Sequence, residues 1–208
     1  MKKGLLIVIS GPSGAGKGSI CKELTKMLNL DISISETTRQ PREGEVDGKN
    51  YFFVTKEAFM DKVQKDGFLE YAEVYGNFYG TPKDYVMSKI EEGKDIVLEI
   101  DFQGALQVKE RYPEGVFIFI LPPSLEELKN RIVHRGSETE KSLEERFGSA
   151  LKEISYIDKY DYCVINDEVE KAANKVKVII EAEHYRVTKE IYNLIQKYKE
   201  EMKCSTLQ

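Results

Sequence analysis

The chain has 208 residues, 32% of them charged and 41% hydrophobic, with a formal net charge of −5. That length suits one α/β core with insertions, the acidic balance argues against a broad electrostatic grip on nucleic acid or an anionic membrane, and no apolar run approaches the ~20 residues of a membrane-spanning helix. Three cysteines (Cys21, Cys163, Cys204) and two isolated histidines (His134, His184) show no metal-ligand spacing, so a histidine metal site or a Ser-His-Asp triad has no support and a reducing, cytoplasmic setting is expected.

In chain order, residues 5–9 (Leu-Leu-Ile-Val-Ile) read as a buried strand, too short for a signal-peptide core and ended by Gly11 and Pro12. The segment Gly11-Pro12-Ser13-Gly14-Ala15-Gly16-Lys17-Gly18-Ser19 follows, and then a helix-period stretch over 20–28. Strand, glycine loop and helix in that order make an anion site: main-chain N–H groups turn inward, the helix dipole points at the same place, and Lys17 reaches the outer phosphates of a nucleoside triphosphate. Gly18 stands where a Ser or Thr usually meets magnesium, which leaves Ser19 as the nearest hydroxyl and Mg²⁺ held mostly by phosphates and water.

Residues 31–35 alternate polar and apolar side chains and predict a strand leading to a cationic loop with Arg39 and Arg42 around Pro41. A strand over 51–54, a helix over 55–63 with Thr55 as N-cap, and a hairpin over 68–82 follow, gathering tyrosines and Thr81 near Glu70. Residues 96–101 predict a parallel strand ending in Glu99 and Asp101, where α/β ligands gather. Residues 117–121 and 162–165 predict two more such strands, and Cys21 and Cys163 read as small core residues. Between those strands Ser124 caps a helix with Glu127 at the capping-box position. That region carries Arg131, Arg135 and Arg146 and breaks at Gly136, which suits a hinged lid over a transferring phosphoryl group. From 168 onward the pattern predicts one long packing helix that frays at its end.

Taken together, these stretches resemble the guanylate kinase family. The likeness is carried by the glycine loop with Lys17, by Thr-Thr-Arg-Gln-Pro-Arg-Glu-Gly-Glu at 37–45, Asp-Gly-Lys-Asn-Tyr at 47–51 and Gly-Asn-Phe-Tyr-Gly at 76–80. Leu-Glu-Ile-Asp-Phe-Gln-Gly at 98–104, Arg131 with Arg135 and Gly136, and Ile-Asn-Asp at 165–167 complete it over roughly residues 3–185. The resemblance implies Mg²⁺-dependent transfer of the γ-phosphoryl of ATP to GMP, with dGMP as a further acceptor, by a monomer or homodimer with no nucleic-acid or membrane partner. It implies a P-loop-type five-stranded parallel sheet flanked by helices, in one domain with its core at about 3–32, 95–123 and 159–208. A strand-rich GMP-binding insertion at about 33–94 and a helical lid at about 124–158 complete that domain.

By the same likeness Ser35, Arg39, Arg42, Glu45, Tyr51, Glu70, Tyr79, Thr81 and Glu99 fall on GMP-site positions, and Asn166 lies near the adenine of ATP. Asp101 is expected to help place the acceptor or to order water around the magnesium, and Lys17, Arg39, Arg131, Arg135 and Arg146 to stabilise the transferred charge. Two alternatives are a related kinase acting on AMP, dTMP or a sugar phosphate, and a phosphopeptide-binding module of the same ancestry.

Overall fold

The computed structural model describes residues 3–74, 76–134, 140–187 and 189–205, with side chains for all of these except 134, 140–146, 189–190 and 203–205. Strand β1 (Leu6–Ser10) is buried along its whole length, as a strand with both faces covered must be. Its side chains alternate between two apolar layers. Ile7 and Ile9 pack with Ile20, Cys21 and Leu24 of α1 (Lys17–Met27) and with Ala172, Val176 and Ile180 of α7 (Val169–Glu183). Leu6 and Val8 pack on the other face with Val86 and Ile90 of α3 (Lys83–Glu91) and Ala105 and Val108 of α4 (Phe102–Arg111).

Five parallel strands lie in the order β2 (Leu30–Ile32), β7 (Asp95–Glu99), β1, β8 (Val116–Leu121), β9 (Tyr162–Ile165). From β1 the chain crosses to the edge strand β2, returns to β7 beside β1, and then passes to β8 and β9 on the other side, so the carboxyl end of β1 is the switch point at which such sheets bind ligands. The expected helix at 20–28 begins earlier, at Lys17, directly out of the glycine loop.

The predicted strand over 31–35 is shortened to β2 at 30–32 in the core sheet, and the segment read as a loop after it forms β3 (Glu36–Thr37), which begins a second sheet ordered β4 (Phe52–Phe53), β3, β6 (Asn77–Pro82), β5 (Phe68–Val74). Thr55 caps α2 (Lys56–Gln64) as expected, its hydroxyl accepting from the Ala58 N–H at 3.2 Å. This smaller unit has an aromatic core of its own. Phe59 of α2 is fully buried, stacked on Phe68 at 4.4 Å between centroids and tilted against Phe78 at 5.6 Å.

The second sheet is fastened to the core through α4. The Gln107 side-chain amide accepts from the Tyr71 N–H at 3.2 Å and donates to the Tyr71 carbonyl at 3.1 Å, standing in for a neighbouring strand. Arg111 adds a bond to the Phe68 carbonyl at 2.8 Å and an ion pair with Asp66.

Three expectations are corrected. The stretch after 168 is two helices, α7 and α8 (Lys189–Ser205), separated by a turn at 184–187, where the C-terminus of α7 is tied down by a His184–Asp95 contact of 2.7 Å. The second helix runs to Ser205, and its side chains from 191 to 202 are exposed instead of packed. Cys163 is exposed, because β9 is the sheet's edge and it is Val164, with Tyr162 beside it, that turns into the core.

Because the aromatic cluster stands apart from the main apolar layers, Phe59→Ala should destabilise the protein by about 3–5 kcal/mol, the usual cost of emptying a buried aromatic site. Urea unfolding followed by circular dichroism measures it, and a loss below about 1 kcal/mol would contradict this assignment of the insertion's core.

Candidate active site

The loop at the end of β1 is shaped by close approach. Gly11 sits at φ +143°, and a Cβ there would lie 2.2 Å from the Ile120 carbonyl oxygen; Gly16 sits at φ +90°, with the Asn166 amide nitrogen 2.3 Å from its would-be Cβ. Neither site admits a side chain. Over the loop lies α5 (Leu125–His134), whose Leu128 Cδ1 and Ile132 Cγ1 stand 3.2 Å from where a Cβ on Gly14 would be. The Lys17 ammonium donates to the carbonyls of Gly11 at 2.5 Å and Pro12 at 3.3 Å, so it is held across the mouth of its own loop. Pro12, Ser13 and Ala15 complete the turn, with the Ala15 N–H donating to the Pro12 carbonyl at 3.0 Å.

Asn166 reaches the loop from the end of β9. It is 1% exposed, and its amide donates to the Ala15 carbonyl at 2.7 Å. Its own carbonyl accepts from Arg131 Nη2 at 3.1 Å, while Arg131 Nε pairs with Glu127 at 2.7 Å. The capping box at the start of α5 is therefore half made. Ser124 Oγ accepts from the Glu127 N–H at 3.0 Å as expected, but the Glu127 carboxylate orients Arg131 instead of reaching back to the cap. Arg135 lies outside the described residues, and of Arg146 only its place in α6 (Glu140–Ile154) is described.

Glu99 and Asp101 arrive on the same edge. The register Ile9↔Glu99 sets Glu99 level with the last residues of β1. Its carboxylate oxygens stand 3.2 and 3.4 Å from where a Cβ on Gly18 would be. A carboxylate thus occupies the room that a hydroxyl-bearing residue at 18 would fill, and Ser19 is exposed on the first turn of α1. Burial, aided by the charge of Glu99, drives the Cys21 thiol well above its ordinary range, so Cys21 is an inert core residue. Asp101 is the N-cap of α4, accepting from the Gly104 N–H at 2.8 Å.

The second cluster belongs to the smaller sheet. Thr37 and Thr38 pin the arginine loop to β6: their hydroxyls bond the Phe78 carbonyl and N–H at 3.0 and 2.9 Å, and the Arg39 N–H donates to Thr37 Oγ1 at 3.2 Å. Glu45 organises the rest. One of its oxygens takes Arg39 Nη2 at 2.8 Å and the other the Arg42 N–H at 2.8 Å. The Arg39 bond is the main reason its carboxyl stays below the usual range. The Arg39 guanidinium lies 5.5 Å from the Tyr51 ring centre, and the Tyr51 and Tyr79 rings meet edge-on at 5.9 Å. Tyr51 is delivered by a loop folded on itself, in which Asp47 accepts from the Phe53 N–H at 2.9 Å and the Gly48 N–H donates to the Tyr51 carbonyl at 2.8 Å. The Arg39 guanidinium and the Tyr51 and Tyr79 rings thus meet around Glu45, a donor set whose chemistry suits a phosphate dianion.

Glu70 sits on β5 of the smaller sheet, against the start of α4. It is 8% exposed, accepts from Thr81 Oγ1 at 2.6 Å, and lies against α4, where a Cβ on Gly104 would be 2.9 Å from its carboxylate. Burial raises its pKa to about 7, opposed by the Thr81 hydrogen bond and reinforced by Asp101. Ser35 lies at the base of the second sheet, its carbonyl accepting from the Phe52 N–H at 2.9 Å. Sequence reasoning has Gly104 only as the end of the motif at 98–104, without its contact with Glu70, and passes over Gln107, whose bonds to Tyr71 have no motif. It read Glu127 as a cap although its i, i+4 spacing to Arg131 was visible.

The fold and this arrangement have known counterparts. A family model described as guanylate kinase matches residues 3–183. The chain is 64% identical over 194 residues to the guanylate kinase of Clostridium acetobutylicum, covering 93% of each chain. It is 61% identical over 194 residues to that of Caldanaerobacter subterraneus subsp. tengcongensis, covering 92% of this chain and 94% of the other. The crystal structure of guanylate kinase from Anaplasma phagocytophilum matches with a TM-score of 0.72 and 34% identity, over 90% of this chain and 89% of that one. With a glycine-and-lysine loop at the switch point, an arginine–tyrosine cluster on the second sheet and a buried acid against α4, the chain belongs to the guanylate kinase family.

Proposed function

We propose that the chain transfers the γ-phosphoryl group of ATP to GMP, and to dGMP, with the loop at 11–19 as donor site and the arginine–tyrosine cluster as acceptor site. The observation that carries this reading is Glu70: a buried acid held by Thr81 against the start of α4. Guanine presents N1–H and N2–H₂ as adjacent donors, which an ionised carboxylate accepts together. Adenine turns a lone pair toward the same oxygens, and a site built this way rejects the wrong base by about 10⁴-fold. Nothing in the cluster is assigned to the ribose 2′-hydroxyl, so dGMP is accepted as well.

In this reading Arg39, Arg42, Tyr51 and Tyr79 hold the GMP phosphate, with Glu45 as the brace that aims the Arg39 guanidinium and holds the Arg42 backbone. The main-chain amides of the loop hold the triphosphate, Lys17 leaves its carbonyl partners to meet the outer phosphates, and Arg131, oriented by Glu127, adds charge where it develops. Asn166 supports the loop from below as well as lying on the adenine side. A magnesium ion fits the donors present. The Glu99 carboxylate stands beside Gly18, and in this reading it and Asp101, two residues further on, would hold the ion at the edge of the triphosphate site, with Glu99 keeping its place among the GMP-site positions as well. When bound, the ion neutralises phosphate charge. The odd cysteine count and the absence of metal-ligand spacing favour the cytoplasm, and no described helix is long and apolar enough to cross a membrane.

The deciding experiment is a coupled assay with ATP and Mg²⁺ across nucleoside monophosphates. GMP should be turned over with kcat/KM on the order of 10⁴ above AMP, and a preference for AMP or dTMP would overturn the assignment. Lys17→Ala should lower kcat by about 10²-fold or more with the GMP KM little changed, because its charge is needed most in the transition state.

The raised Glu70 pKa adds a pH dependence. The ionised form accepts from guanine, so GMP affinity should rise as pH increases toward and through about 7, and Glu70→Gln should bind GMP weakly with no such rise. For stability the sign is opposite. The folded state holds this proton more tightly than the unfolded chain does, so ionisation costs stability as pH climbs from the ordinary carboxylate range to about 7. Glu70→Gln should therefore raise the thermal midpoint at pH 8, and the gain should vanish near pH 5. Equal midpoint differences at both values would contradict the burial argument.

A further inference from the structure

Phe68, Leu69 and Glu70 are buried in succession on β5, a pattern that a regular strand with alternating faces does not produce. A bulge produces it. Phe68 pairs with Pro82 and Glu70 with Thr81, so Leu69 is skipped in the register. Phe68 turns into the aromatic core with Phe59, Leu69 into the apolar layer with Val86, Ile90 and Ala105, and Glu70 onto the first turn of α4.

Glu70 meets α4 at Gly104. That glycine is buried inside the helix, where alanine is the intrinsically better residue, and its N–H is already held by the Asp101 cap at 2.8 Å. A Cβ there would lie 2.9 Å from Glu70 Oε2 and 3.3 Å from its Cδ and Cγ. The glycine is therefore clearance for the acid. On the other side Thr81 Oγ1 donates to Oε1 at 2.6 Å, so one carboxylate oxygen is gripped while the other is given room. One helical turn further on, the Gln107 amide makes its two bonds with the main chain of Tyr71, the residue next to Glu70, and fixes the height of β5 on the helix. Gly104 and Gln107 are three apart, on the one face of α4 that meets β5.

We propose that this face of α4 determines acceptor specificity: Gly104 and Gln107 are positioning residues that set where the Glu70 carboxylate stands, and so which purine edge meets it. Guanine N1–H and N2–H₂ are adjacent donors and need the acid in one place and one orientation. A methyl group at 104 moves the carboxylate without breaking the fold, because the atom it meets is the far end of a flexible side chain. Adenine gains nothing from the acid, so displacing it does not penalise adenine. The proposal rests on the assignment of Glu70 to guanine, whereas the seating of Glu70 on Gly104 is measured without any nucleotide.

The test is Gly104→Ala in the full chain, with Gln107→Ala as a second variant that leaves Gly104 intact and Glu70→Ala as a common background. In Gly104→Ala the GMP KM should rise by about 10- to 100-fold, the usual effect of a binding group misplaced by about an ångström, with the ATP KM within about twofold. The ratio of kcat/KM for GMP over AMP should fall by about 10-fold or more. Gln107→Ala should lower the same ratio by about threefold or more, again without moving the ATP KM. In the Glu70→Ala background each substitution should change the GMP KM by less than about threefold, since the acid they place is gone. Without nucleotide, Gly104→Ala should raise the thermal midpoint more in Glu70→Ala than in the wild-type chain, because only there is the better helix former free of the acid. A merely structural role predicts equal losses for GMP and ATP and the same midpoint change in both backgrounds. Either result, or an unchanged GMP KM in Gly104→Ala, would overturn the proposal. A wild-type chain that preferred AMP would count against the guanine assignment, and the midpoint comparison would still decide the seating of Glu70.

Discussion

A phosphate tail gripped by main-chain amides requires a turn with no side chains inside it, packed so tightly that the amides cannot turn away. Gly11 against the Ile120 carbonyl and Gly16 against the Asn166 amide meet that requirement from two neighbouring strands. The remaining architecture follows from keeping those strands in register. β7 on one side of β1 delivers Glu99 and, just beyond its end, Asp101; β8 and β9 on the other deliver Ile120 and Asn166; α5 closes the top through Leu128 and Ile132. A shift of one residue between β1 and β7 would turn Glu99 away from Gly18.

The acceptor half solves a different electrostatic problem. It must hold a phosphate dianion and read a purine edge with a carboxylate, and the two demands conflict if the charges are close. The structure separates them along one sheet. Arg39, Arg42, Tyr51 and Tyr79 gather on the loop side with Glu45 as internal counter-charge, while Glu70 sits under Thr81 against α4. The paired bonds between Gln107 and Tyr71 fasten the strand bearing Glu70 to the helix capped by Asp101. The base reader is thereby referred to the same helix as the donor edge, and the two half-sites share a frame.

Local chemistry was legible in the residues. The glycine loop, the Thr55 cap, the hairpin and the four apolar strand runs all have short-range causes, and each appears within a few residues of where the pattern places it. The misreadings arise where tertiary context decides. Glu127 had two partners in reach, the cap and Arg131, and sequence alone does not rank them. Cys163 looks apolar and buried until the sheet order makes β9 an edge. The apolar spacing after 168 is helical throughout, yet the turn at 184–187 depends on a contact between His184 and Asp95 some ninety residues earlier in the chain.

The central claim is that the two anion receptors face each other across one transferable phosphoryl group, with purine identity read at Glu70. Calorimetric titration with an adenosine–guanosine dinucleotide bridged by five phosphates tests it most directly. The account predicts binding at least about 10²-fold tighter than either ATP or GMP alone, because one molecule fills both sites at a single entropic cost. Affinity no better than that of ATP alone would contradict it.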